Sequence, residues 1–180
     1  MFAPGYAITI PTLVSVFTKG IGWFGADLAT TPPVSASYEA AARAVYYPIL
    51  LPSECVVRRV WWANGATTSG GATIAVGVYS DAGYGPGIKI VGGSATQGTA
   101  NQVQFADVTD SPLAPGLHWL AVMASSITNT RLFRCSPSVL VSPDFRFHEN
   151  AADPLPATAT PTAAANGFVW VFGFATTASP

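Results

Sequence analysis

The sequence predicts an all-β fold, an antiparallel sandwich or barrel, and three observations carry that prediction. Short apolar or alternating runs recur through most of the chain, separated by clusters of Gly, Pro, Ser, Thr and Asn. Residues 72–80 alternate with the two-residue period of a strand, with Ile74, Val76 and Val78 on one face and Thr73, Ala75 and Gly77 on the other. Helical periodicity is nearly absent, and 17 glycines and 15 prolines punctuate the 180 residues.

Taken in order, the predicted strands are 6–10, 13–18, 45–51, 55–63, 72–80, 87–92, 102–107, 117–124, 131–135, 139–141 and 168–175. The turn signals between them are Asn64-Gly65, Ser69-Gly70-Gly71, the stretch 81–87 (DAGYGPG), Pro115-Gly116 and Asn166-Gly167. The best helix candidate is Ser37–Ala44 with Ser37 as N-cap, although its alanines suit a loop or strand equally. Residues 151–166 are of low complexity, and Pro154, Pro156 and Pro161 predict an extended, polyproline-like course. That segment reads either as a surface loop between the last two strands or as an arm laid across a neighbouring subunit. Residues 1–35 read in the same way, as an extended N-terminal arm or subunit-contact segment preceding a sandwich domain over 36–180.

Charge is the compositional anomaly. The chain has 8 basic and 9 acidic residues, 9% charged, where an ordinary globular domain has about 25%. High hydrophobicity argues against disorder, and the shortage of Lys and Arg argues against nucleic-acid binding. A net charge of −1 supplies no field to steer a charged partner. The start Met1-Phe2-Ala3-Pro4 lacks the basic region of a secretory signal, the first lysine being Lys19. Ile8–Ala26 is apolar, but Pro11, Lys19, Gly20, Gly22 and Gly25 interrupt it, so no membrane span is predicted. Cys55 and Cys135 have no metal-ligand spacing; free thiols are expected, with one disulfide open if their strands meet.

Catalytic motifs are missing from the sequence: it contains no Gly-x-Ser-x-Gly, Walker loop, His-Glu-x-x-His or paired Cys-x-x-Cys. Gly83–Gly87 resembles a phosphate loop superficially, yet Pro86 removes an N–H donor and a strand follows, so a turn is expected. His118 reads as a hydrogen-bonded structural histidine in a strand. His148 and Glu149 together provide at most two metal ligands. Asp107 and Asp110 form the one close carboxylate pair and read as Asx-turn residues; a calcium site there or near Asp81 is disfavoured. Neither an enzyme nor a cofactor nor a metal is expected.

Aromatics are the stronger signal, with 5 Trp, 6 Tyr and 10 Phe. Trp61 and Trp62 are adjacent in a strand, so their indoles point to opposite faces. The outward one stacks on a sugar, packs against a neighbouring subunit or lies under a loop of its own chain. Arg58-Arg59 likewise splits across faces, with at most one arginine inward. In the last strand Phe168, Trp170, Phe172 and Phe174 share one face and Val169 and Val171 the other, so both faces are apolar, as in a covered or interfacial strand. The candidate ligand or interface aromatics are Trp61, Trp62, Tyr79, Tyr84 and Trp170.

Three stretches carry a resemblance: Tyr46-Tyr47-Pro48-Ile49 leading into a strand, residues 72–87 (ATIAVGVYSDAGYGPG), and Leu113–Val122 (LAPGLHWLAV). Together, over Ala44–Ser125, they resemble a jelly-roll module of tailed-bacteriophage structural proteins, found in tail fibres, minor tail proteins and virion decorations. The resemblance implies an antiparallel β-sandwich of jelly-roll type. It also implies a virion structural role, assembled in the host cytoplasm: a decoration, head-fibre or tail-associated subunit. Expected partners are further copies of the chain (a homo-oligomer, with a trimer as one form), other capsid or tail proteins, and host glycans. The competing expectation is a carbohydrate-binding module for cell-surface glycans. With neither heptads nor a stalk in the chain, the free-standing structural subunit is the better fit.

Overall fold

The computed structural model describes residues 21–23, 33–68, 70–83, 85–135, 146–150, 152–163 and 169–176. It is all-β and antiparallel. In chain order the strands are β1 (Ile21–Trp23), β2 (Val34–Ser37), β3 (Arg43–Leu51), β4 (Cys55–Ala63), β5 (Thr73–Asp81), β6 (Pro86–Thr96), β7 (Val103–Leu113), β8 (Gly116–Ala124), β9 (Arg131–Cys135), β10 (Phe147–Glu149), β11 (Thr162–Ala163), β12 (Val169–Trp170) and β13 (Phe172–Ala175). They form a six-stranded sheet ordered β11-β10-β3-β8-β5-β6, a four-stranded sheet β1-β13-β4-β7, and a three-stranded sheet β12-β9-β2. The two smaller sheets approach each other at the Asn64–Leu132 bridge and at the β12–β13 junction.

The alternation read from the sequence places the main core between the sheets. Ile74, Val76 and Val78 of β5 and Leu120, Val122 and Ala124 of β8 meet Val57, Val60 and Trp62 of β4, Phe172 and Phe174 of β13, and Leu132 of β9. β3 pairs with β8 along its whole length, and β4 pairs with β7, so the arms β3–β4 and β7–β8 run side by side and pass together from one sheet to the other. Gly93 of β6 faces this core. A Cβ there would lie 2.9 Å from Val108 and 3.2 Å from Val60, so the inter-sheet space admits glycine alone without repacking.

Several expectations are corrected. Ser37–Ala44 is not helical: Ser37 ends β2, a turn follows with Ala42 at φ 53°, and Arg43 opens β3. Two helical turns gain little by themselves, whereas β3 gains a nine-residue ladder on β8. The run 168–175 is broken at Val171, so that β12 pairs with β9 and β13 pairs with β4. The break re-aims the chain and puts Val169 in the same core as Trp170, Phe172 and Phe174. Residues 107–110 are no loop but the middle of β7. A bulge between Val57 and Arg59 shifts the strand's parity. Both arginines therefore leave the core, Arg58 pairing with Asp110 at 3.3 Å and Arg59 with Asp107 at 2.5 Å.

The predicted strands 6–10, 13–18 and 139–141 lie outside the described residues. Within the predicted arm 1–35, Ile21–Trp23 pairs with β13 and Val34 already belongs to β2. The chain reverses between β5 and β6 as expected, with Ala82 N–H donating to Gly85 O at 2.9 Å and Gly83 at φ 89°, although Pro86 and Gly87 of the expected Gly83–Gly87 turn already belong to β6. Among the described residues no helix is long and apolar enough to cross a membrane.

Candidate functional site

The aromatics singled out from the sequence do not gather in one place. Trp62 and Trp170 are in the inter-sheet core. Trp62 donates its indole N–H to Asn64 Oδ1 at 3.1 Å, and Asn64 in turn donates to Gln104 and to Thr99 O. Trp61 points the other way, as adjacency requires, yet is only 6% exposed. Its cross-strand partner on β13 is Gly173, and its indole donates to Phe174 O at 3.2 Å. Tyr79 lies on the outer face of the six-stranded sheet and is buried, while Tyr84 lies outside the described residues.

What buries Tyr79 is the low-complexity segment itself. Residues 152–160 cross the outer face of the six-stranded sheet as a strap, burying Ala152, Leu155 and Ala159 against Ala44, Tyr46, Ala75, Tyr79, Trp119, Ala121 and Met123, with Phe147 alongside. The reading of this segment as an arm across a neighbour is corrected within this chain: it lies on its own sheet. Prolines explain the form, since they favour an extended backbone that needs external hydrogen-bond partners. Those partners are present. Lys89 N–H donates to Ala157 O at 2.8 Å, and Ala159 N–H to Gly87 O at 2.9 Å. The Tyr79 hydroxyl donates to Pro156 O at 2.8 Å, and Lys89 Nζ to Leu155 O at 2.6 Å. At the far end Glu149 accepts from Thr160 N–H, from Thr160 Oγ1 and from the Tyr46 hydroxyl.

The floor of this groove is aromatic and non-ionising. Tyr46 and Tyr79 meet edge to face at 5.2 Å, and Trp119 packs on Phe147 at 5.3 Å while donating to Asp81 Oδ1 at 2.9 Å. Burial pushes the Tyr46 and Tyr79 phenols well above the usual tyrosine range, and the neighbouring Glu149 carboxylate adds to this at both. Both hydroxyls therefore stay protonated and act as donors. Gly77 shapes the groove, because a Cβ there would meet Tyr79 Cε2 at 3.2 Å and Leu155 Cδ1 at 3.3 Å. The arrangement is equipped to hold an extended peptide by its carbonyls and one leucine side chain.

A second polar centre, missed in the sequence, ties the β2–β3 corner to β10 and β12. Arg146 is buried and its Nη2 lies 2.7 Å from Glu39 Oε2, with Arg43 Nη1 at 3.5 Å from the same oxygen. Trp170 donates to Glu39 Oε1 at 3.3 Å, and Arg146 Nη1 reaches the Tyr47 hydroxyl at 3.5 Å. Arg134 stands over the Trp170 ring at 5.9 Å. Burial raises the Tyr38 and Tyr47 phenols. At Arg146 burial works against the charge, but Tyr47 and Glu39 outweigh it and hold the guanidinium cationic. Burial, then Arg43 and Arg146 opposing Glu39, holds His148 below the usual histidine range. This is a fixed-charge lock. The signal that could have found it was the Glu39-to-Arg43 spacing, which a helical turn explains equally well.

Of the histidines, His118 has its Nε2 2.8 Å from Ala114 O, pinning the turn between β7 and β8. No group of three or more His, Cys, Asp or Glu able to hold a metal occurs among the described residues. Cys55 is a free, half-buried thiol, with burial raising its pKa. No protein-family model matches the chain, and no curated protein matches it.

Proposed function

We propose that the protein is a structural subunit of a tailed-bacteriophage virion, a decoration, head-fibre or tail-associated fibre protein assembled in multiple copies with itself and with capsid or tail proteins. One observation carries this reading: a low-charge β-sandwich that engages most of its described charges within the chain while leaving several aliphatic side chains outside. Arg43, Arg58, Arg59 and Arg146 pair with Glu39, Asp110 and Asp107, and Lys89, Asp81 and Glu149 are engaged by internal partners. Ile88 is 63% exposed, Val34 54% and Val103 52%, with Leu50, Val56, Ile90 and Ile127 also open. Depletion of charge is the compositional mark of an interface core, and the low charge of this chain supports packing against neighbours.

The jelly-roll assignment belongs to this proposal. It is supported by the paired arms β3/β8 and β4/β7, which pass together from one sheet to the other as in a wrapped ribbon. The hairpin β5–β6 stays within one sheet, so the support comes from four strands. The carbohydrate-binding reading receives less, because Trp61, Trp62, Trp119 and Trp170 are all buried and offer no open indole face to a sugar.

The test is sedimentation of the purified chain at micromolar concentration, together with co-sedimentation with phage particles. A defined oligomer that joins particles is the expected result. A monomer that binds no particle overturns the reading.

A further inference from the structure

We infer that β10 is an acid-sensitive latch: protonation of His148 releases β10 and β11 from the sheet and frees the Thr160 end of the strap, uncovering the aromatic face beneath it. The inference concerns a motion of one chain and does not rest on the virion reading. β10 is three residues long and is paired on both sides, with Val45 of β3 and Thr162 of β11 both opposite His148. Its two faces have different partners. One face holds the strap: Phe147 packs against the strap cluster, and Glu149 accepts from Thr160 N–H at 3.0 Å, from Thr160 Oγ1 at 2.9 Å and from the Tyr46 hydroxyl at 2.8 Å. The two-residue period of a strand places His148, and Arg146 just before it, on the other face. A disturbance at His148 is therefore one residue away from the contacts that tie down the strap.

On the His148 face, two guanidiniums converge on one carboxylate. Glu39 Oε2 lies 2.7 Å from Arg146 Nη2 and 3.5 Å from Arg43 Nη1, and Arg43 Nε also donates to Asn150 Oδ1 at 2.9 Å, just past the strand. Among the described residues, the titratable groups around His148 are Arg146 and Glu149 of its own segment, Arg43 and Tyr47 of β3, and Tyr38 and Glu39 of the β2–β3 corner. Burial, then Arg43 and Arg146 opposing Glu39, disfavours a proton on the closed-state ring. The Thr162 hydroxyl, 3.4 Å from His148 Nε2, offers no compensation, because a hydroxyl meets a neutral and a protonated ring equally well. Once β10 lifts, the ring returns to water and to its ordinary proton affinity, so acid selects the open state. Each pKa unit between the two states multiplies the open-to-closed ratio by about ten when the pH falls below both values.

The test is residue-resolved hydrogen exchange of the full chain at about pH 7.5 and about pH 5, either side of the ordinary histidine range and corrected for the intrinsic pH dependence of exchange. The reporters are the amides of Ala159 and Thr160, which bond to Gly87 O and to Glu149, with the amides of β8 as reference. Acid is expected to lower protection at the reporters several-fold relative to β8. His148→Asn should abolish that response, and His148→Lys, a permanent cation, should lower reporter protection already at the higher pH. Equal relative protection of the parent at both pH values overturns the latch. So does an acid response that survives in His148→Asn, which assigns the effect to another group, Glu149 foremost. A second measurement needs no change at position 148. Coupling between the ring and the strap is reciprocal, so nuclear magnetic resonance titration should show His148 taking its proton at higher pH in Gly77→Val, where the strap is displaced. An unchanged titration there overturns the proposal independently.

Discussion

At the scale of single residues, the few charges fall into two environments with different energetic weight. Glu39 and Arg146 are largely buried and hydrogen-bonded to neighbours on separate elements. Removing one partner strands the other in low dielectric, so Glu39→Ala is expected to cost about 3 kcal/mol in urea unfolding, whereas Glu39→Ala with Arg146→Met recovers most of it. Arg58 and Asp110 are exposed on β4 and β7, and Arg58→Ala is expected to change stability by about 0.5 kcal/mol or less. His148 adds a pH dependence. Its folded-state pKa is lowered, so the unfolded chain binds more protons as pH falls through the ordinary histidine range of about 6.5. Its contribution is present above that range and is lost on acidification; thermal unfolding between about pH 5 and pH 7 should show a flatter profile for His148→Asn than for the parent.

Among the elements, the strap is held by one leucine, two alanines and a short set of hydrogen bonds, and it is the place where a local change has a local effect. Gly77→Val pushes a side chain into Leu155 and Tyr79. Hydrogen exchange at Lys89 and Ala159, whose amides bond across the strap–β6 contact, is expected to accelerate while amides of β8 stay protected, because the strap opens without the sandwich. Trp62→Ala acts oppositely. Its indole fills the inter-sheet core and satisfies Asn64, so about 3–5 kcal/mol is expected to be lost globally. The β4 bulge has the same logic in reverse. By shifting parity after Val57 it lets Val57, Val60 and Trp62 all face inward while two successive arginines face out.

For the whole molecule, the proposed assembly is apolar in origin. Its sedimentation is therefore expected to change little between low and high salt, in contrast to an association held by charged patches. Ile88→Lys with Ile90→Lys places two charges on the β6 edge, and loss of higher oligomers in sedimentation is the expected outcome. An unchanged oligomer would place the contact elsewhere on the sandwich.

Periodicity and turn chemistry by themselves determined the all-β class, the faces of β5 and β8 and the positions of most long strands, because a two-residue alternation is a local property of the chain. The same reasoning correctly separated Trp61 from Trp62. Other features depended on partners distant in sequence. Ser37–Ala44 has helical composition, and the ladder from β8 decides otherwise. The break at Val171 and the bulge after Val57 are set by which strands claim each half. Whether 152–160 lay in solvent, on a neighbour or on its own sheet had no local signature, since proline dictates an extended backbone and not where it docks. That was decided by an aromatic face, Tyr46, Tyr79 and Trp119, contributed by three strands that meet only after folding.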